Sequence, residues 1–143
     1  MVAIDASWEC AAGAGVSRAR AVFDPAHSWW RETSRNLWQS DAALVPTRKE
    51  DDPGLMGHEQ LHFDLTEIWV RKIREQFKAL AEACKTPAGI RAFERTMTQL
   101  EGGWRDEQTQ YDRETDHGLD GSAQRAWARR AQQALHDAST SGR

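Results

Sequence analysis

The sequence contains little cysteine, and this limits the kinds of metal site it can form. Cys10 and Cys84 are its only cysteines, and they are far from the CxxC spacing of cysteine zinc sites. A zinc site built on cysteine is therefore excluded. The two thiols could form one disulfide in an exported protein, but we favour the interpretation that they are two unrelated buried thiols.

The sequence also lacks a dominant charge and a long apolar run. Its 19 basic and 22 acidic residues are mixed along the chain, with no basic stripe, so we expect no nucleic-acid partner. No apolar stretch approaches the roughly 20 residues that cross a bilayer, so we expect no membrane span. The N-terminus has no signal-peptide pattern, which leaves two possibilities: a protein that stays in the cytoplasm, or a chain that begins after a removed export segment.

A chain of 143 residues is long enough for one domain with a modest core. We expect a loosely ordered N-terminal segment or a short first strand at 1–15, a single domain at 16–137, and a disordered tail at 138–143. Within the domain, small or apolar side chains alternate with arginines from Val16 to Phe23. This period of two predicts a strand with one solvated face.

Capping residues, prolines and glycines predict several helices after this strand. The segment after Gly103 is expected to be helical at first and irregular near His117. The first helix is expected at about 28–38, and a charged loop follows at about 46–52. The other helices are expected from Pro53 to about Cys84, from Pro87 to Gly102-Gly103, and from about Ser122 to Asp137. The predicted fold is therefore α+β and mostly helical.

The second of these helices carries the sequence His58-Glu59-Gln60-Leu61-His62, an HExxH motif. Two histidines four residues apart project from one helical face, so both imidazoles can reach a single ion. Zinc accepts such nitrogen ligands, and a catalytic zinc site keeps one position for water. Glu59 is offset by about 100° from His58. It is therefore placed to act as a general base on that water.

The two histidines also lie within the apolar arc of this helix. Buried polar groups are costly without partners, and a shared metal ion would supply one. The alternative is two core histidines that bond to the backbone or to carboxylates. The arc contains Leu61, Leu65, Ile68, Trp69, Ile73, Phe77 and Leu80.

A third metal ligand must come from another part of the chain. Asp64 and Glu67 lie on the opposite side of the helix from the histidines, and the longer HExxHxxGxxH pattern is absent. His117 is the strongest candidate, because it lies beside a glycine at an expected break between helices. It could equally be an exposed loop histidine. Acidic alternatives are Glu94, Glu101 and Glu107.

The segment that contains His117 offers further polar side chains. The hydroxyl of Tyr111 could donate a hydrogen bond to a developing oxyanion. Asp112 or Asp116 could accept a hydrogen bond from a ligand imidazole and orient it. In each case a structural role is the alternative.

Three stretches of the sequence resemble a bacterial family described as predicted secreted zinc-dependent proteases. They are FDPAHSWW at 23–30, MGHEQLHFDLTEIWVRKIR at 56–74, and YDRETDHG at 111–118, which is followed by QRAW. The resemblance implies a minimal zincin-like fold, in which a small antiparallel sheet packs on a long metal-binding helix. It supports His117 as the third zinc ligand and implies a secreted or periplasmic location. It also implies that an edge strand near Ala19 to Phe23 holds an extended peptide.

The expected function is therefore that of a zinc metallopeptidase acting on a peptide or protein substrate, with Glu59 as general base. Two alternatives remain open. One is a zinc-binding interaction protein without turnover. The other is a metal-dependent hydrolase of non-peptide amides, which would use the same residues.

Overall fold

The computed structural model describes residues 2–11, 14–23 and 54–140 of the chain. The predicted helix at 28–38 and the charged loop at 46–52 lie outside these residues. A two-stranded antiparallel sheet precedes a set of helices, so the α+β, mostly helical class is confirmed. The elements are β1 (Val2–Ala11), β2 (Ala14–Phe23), α1 (Gly54–Phe77), α2 (Leu80–Ala83), α3 (Pro87–Glu114) and α4 (Gly121–Thr140).

The two strands pair along their whole length, with Val2 opposite Phe23 and Ala6 opposite Ala19. Ala19 is buried against the helices, whereas Arg20 is exposed and bonds to Asp5 of β1. The predicted alternation therefore holds, and the strand begins two residues earlier than expected. Two possibilities were predicted for the N-terminal segment, and the structure shows the strand. Ile4 and Ala6 of β1 pack against the same core cluster as Ala19 of β2.

A disulfide joins Cys10 to Cys84, so the expectation of two unrelated thiols was wrong. It connects the end of β1 to the residue that follows α2. A crosslink between residues 74 positions apart stabilises the fold by about 4 kcal/mol, because it lowers the conformational entropy of the unfolded chain.

The predicted helix from Pro53 to Cys84 is interrupted by a turn at Lys78 and Ala79, after which Leu80 packs against Gly15 of β2.

Helix α3 begins where the sequence predicts, with the hydroxyl of Thr86 accepting a hydrogen bond from the Gly89 amide. The predicted end at Gly102-Gly103 was wrong, because the helix continues to Glu114. A Cβ on Gly103 would lie 2.5 Å from the indole of Trp69. This glycine permits the close approach of α3 to α1 and does not end the helix.

The core consists of two clusters along α1. The first lies between the sheet, the C-terminal half of α1 and the start of α3, and is centred on Val70 and Ile73. The second lies between the N-terminal half of α1, the end of α3 and α4, and contains Tyr111 and Trp127. The HExxH motif therefore lies on the second cluster. Among the described helices, none combines the length and apolar character needed to cross a membrane.

Candidate metal centre

His58 and His62 lie near the start of α1 and face the second core cluster. His58 is 3% exposed, and the side chain of His62 is 13% exposed. Their Nε2 atoms are 3.1 Å apart, as the four-residue spacing on one helical face predicts. Both imidazoles therefore direct the same ring nitrogen toward one point.

The third group at this point is Asp112, near the end of α3. Its Oδ1 lies 3.1 Å from Nε2 of His58 and 2.8 Å from Nε2 of His62. Asp112 reaches the histidines because α3 continues past Gly103 and passes close to α1. In the described part of the chain, these three residues form the one group of potential metal-ligating side chains.

The donor set and its spacing fit a zinc ion. Two imidazole nitrogens and one carboxylate oxygen are a ligand set of catalytic zinc sites, in which the fourth position stays open. Tetrahedral bonds of about 2.0–2.1 Å place two ligand atoms about 3.3 Å apart. The separations of 2.8–3.1 Å in the structure are a few tenths of an ångström shorter. A small outward shift of the three side chains would accommodate the ion.

The electrostatics of this centre favour positive charge. Burial by itself would lower the pKa of His62, but hydrogen bonds to Asp112 and Gln108 and the negative charges of Asp112 and Glu59 outweigh it and raise that pKa. Burial likewise opposes ionisation of Asp112, yet hydrogen bonds from the two imidazoles hold its pKa well below the usual range. A proton and a metal cation would therefore compete for the same atoms.

Glu59 lies on α1 between the two histidines and is half-buried. Its negative charge is one of the contributions that raise the pKa of His62. It does not belong to the three-residue cluster. A carboxylate next in sequence to His58 and outside the cluster is free to act as a general base.

Tyr111 does not lie where the sequence predicted. It is 0% exposed, its ring stacks on the His58 imidazole, and its hydroxyl lies 3.2 Å from the His58 carbonyl oxygen. Burial also raises its pKa. A side chain enclosed in this way cannot donate to an oxyanion on a substrate, so Tyr111 supports the helix that carries the site.

His117 lies at the rim of the centre, and its side chain is 77% exposed. Its Nδ1 is 3.8 Å from Oδ1 of Asp112, and His117 is absent from the cluster that could hold a metal. The backbone explains this position. Asp116, His117 and Gly118 all have positive φ, and Gly118 packs directly against the His58 ring. The structure therefore brings Asp112, and not His117, to the two imidazoles.

The remaining predicted ligands lie elsewhere. Asp116 is exposed in the same turn, and it is Asp112 that contacts both imidazoles. Glu107 accepts a hydrogen bond from the Trp69 indole, and Glu101 pairs with Arg105. Glu94 is exposed on α3, far along the helix from Asp112. None of the three glutamates is in the cluster.

Sequence reasoning missed two glutamines that contact the imidazoles. Oε1 of Gln108 lies 2.5 Å from Nδ1 of His62, and Oε1 of Gln124 lies 3.3 Å from Nδ1 of His58. Gln108 precedes Asp112 by four residues on α3, so a search of that helical face would have found it. Gln124 belongs to α4, and its sequence position carries no comparable signal.

We predict that Asp112→Asn lowers zinc affinity far more than His117→Ala does. An amide lacks the negative charge that offsets the cation, whereas an exposed histidine 3.8 Å from Asp112 contributes little to binding. Titration of both variants against a chelator of known affinity would measure the difference. The opposite ranking would restore His117 as the third ligand.

Comparison with known proteins relates the chain to a family. The model of a bacterial family described as proteins of unknown function, DUF922, matches residues 30–118. No curated protein and no solved structure matches the chain. The matched range contains the HExxH motif, Asp112 and His117, and it ends before Gln124.

Proposed function

The chain belongs to DUF922, a bacterial family of unknown function, and from its site we propose that it is a zinc-dependent metallopeptidase. One observation carries the proposal. Nε2 of His58, Nε2 of His62 and Oδ1 of Asp112 converge on one point, and Glu59 follows His58 on the same helix. The zinc-dependent protease resemblance of the sequence agrees with the two histidines of this set, whereas it favours His117 over Asp112 as the third ligand. His58, His62 and Asp112 would hold the ion.

The reaction needs a Lewis acid and a base in one place. A zinc ion held by His58, His62 and Asp112 would supply the first, because it would polarise the scissile carbonyl and lower the pKa of water. Glu59 supplies the second: its carboxylate takes a proton from the attacking water and then transfers that proton to the leaving amine. The negative charge of Asp112 would offset part of the positive charge of the cation, and without a metal its Oδ1 lies within hydrogen-bond distance of both imidazoles.

The sheet offers a way to hold an extended substrate. Gly15 of β2 lies against Leu80, and the Ala19 carbonyl accepts a hydrogen bond from Arg74 at 3.0 Å. Strand β2 therefore runs along α1 from its C-terminal end toward the end that carries the histidines. Within the described two-stranded sheet, each strand has one edge without a strand partner. Such an edge can bind a peptide by strand addition.

The proposal is tested by metal-dependent cleavage of a library of unstructured peptides. We expect the protein to cleave peptides, to lose activity when a chelator removes its metal, and to regain it when zinc is added back. Cleavage that persists after chelation would contradict the proposal. Tight zinc binding without turnover would indicate an interaction protein, and turnover of non-peptide amides alone would indicate a different hydrolase.

A further inference from the structure

We infer that His117 is a catalytic residue of the proposed peptidase, and that its imidazole donates a hydrogen bond to the carbonyl oxygen of the substrate. The inference rests on the proposed function and deepens it. Attack of water on a peptide carbonyl places negative charge on the carbonyl oxygen, and a donor aimed at that oxygen stabilises the transition state. The sequence suggested Tyr111 for this role, but Tyr111 is 0% exposed and cannot reach a substrate.

The three residues of the proposed metal site differ in exposure, and the difference indicates the side from which a substrate approaches. The side chains of His58 and His62 are 4% and 13% exposed, whereas that of Asp112 is 34% exposed. Within the described part of the chain, the cluster is therefore open on the side of Asp112. His117 lies on this side, with its Nδ1 3.8 Å from Oδ1 of Asp112 and its ring facing solvent. Its imidazole borders the entrance to the site.

The turn that carries His117 is held against the site by its backbone. The His117 amide donates a hydrogen bond to the Asp112 carbonyl oxygen at 2.8 Å, and the Gly118 amide donates to the carbonyl oxygen of the fully buried Thr115. A Cβ on Gly118 would lie 3.0 Å from Cγ of His58, so the turn lies directly on this imidazole. His117 itself has a positive φ of 53°, which residues other than glycine adopt uncommonly. The backbone therefore fixes the place of His117 relative to the metal site.

The imidazole of His117 suits this role because it is a hydrogen-bond donor in both of its charge states. A neutral ring carries one N–H group, and a charged ring carries two. The 3.8 Å between Nδ1 and Oδ1 of Asp112 is too long for a hydrogen bond, so Nδ1 is not committed to this carboxylate. His117 donates a hydrogen bond and keeps its proton, while Glu59 carries out the proton transfers. The two residues therefore have separate roles in the reaction.

The test compares His117→Ala with His117→Asn in the zinc-loaded protein. Alanine removes the donor, whereas asparagine places an N–H group close to the position of Nδ1 and tolerates positive φ. In His117→Ala, we expect kcat for an unstructured peptide to fall by about 100-fold and KM to change little, because the hydrogen bond strengthens as charge develops. Affinity for a phosphinic peptide, whose tetrahedral anion resembles the transition state, should fall by a similar factor while the zinc content stays the same. His117→Asn should recover most of the rate and of this affinity.

The control is His136→Ala, which changes an exposed histidine on α4 and should match the wild type in rate, affinity and zinc content. A His117→Ala protein that cleaves peptides and binds the phosphinic peptide as the wild type does would overturn the inference and leave the proposed function intact. Loss of zinc from His117→Ala would also overturn it, because His117 would then be a ligand. A wild type that cleaves no peptide would contradict the proposed function itself, and this role with it.

Discussion

Replacing Glu59 with glutamine should stop peptide hydrolysis and leave zinc bound. Glutamine keeps the size of the side chain but cannot take a proton from water. A positioned general base contributes about 10²–10⁴-fold to such rates, and we expect kcat/KM to fall by that factor. The zinc content should not change, because Glu59 lies outside the cluster of His58, His62 and Asp112. Cleavage of an unstructured fluorogenic peptide and metal analysis of the same sample measure both.

The matched control for this variant is Glu75→Gln. Glu75 is an exposed glutamate on the same helix and pairs with Lys78 at the opposite end from the histidines. It should retain full activity. If Glu59→Gln and the wild type cleaved peptides at the same rate, Glu59 would not be the base. If neither cleaved any peptide, the interaction-protein alternative would take the place of the peptidase.

Replacing His62 with alanine should remove zinc. The variant loses one of the two nitrogen ligands, and loss of groups behind the ligands alone typically costs about 10–100-fold in affinity. We therefore expect affinity to fall by more than about a hundredfold. His58→Ala should have a similar effect, but His58 also stacks on Tyr111 and is almost fully buried, so part of its effect would be loss of stability. The side chain of His62 is 13% exposed, against 4% for His58, so His62→Ala is the cleaner variant.

The control for the histidine variants is His136→Ala, which changes an exposed histidine on α4. Zinc affinity should equal that of the wild type. Circular dichroism of each variant would show that the helices are retained. A His62→Ala protein that binds zinc as tightly as the wild type would show that the metal lies elsewhere.

The parts of the site that could be predicted from the sequence are those that depend on local spacing. His58 and His62 meet because four residues make about one helical turn, and this relation holds wherever the helix packs. Strand β2 and the cap at Thr86 are likewise set by neighbouring residues. Such features need no knowledge of distant contacts.

The parts that could not be predicted depend on contacts between distant segments. From the sequence alone, Gly103 predicts the end of a helix. In the structure the Trp69 ring occupies the space that a side chain at this position would need, and α3 continues past it. This continuation determines that Asp112 reaches the imidazoles and that His117 falls in the exposed turn beyond the helix. The disulfide likewise depends on how the fold brings the end of β1 to the residue after α2, which the positions of Cys10 and Cys84 in the sequence do not reveal.

The most direct test of the account is a crystal structure of the zinc-loaded protein, with anomalous scattering measured at the zinc edge. The account predicts one strong peak, bonded to Nε2 of His58, Nε2 of His62 and a carboxylate oxygen of Asp112, with Glu59 close to the metal's open position. A protein without a peak at this point, or a zinc ion bonded to His117 in place of Asp112, would contradict it.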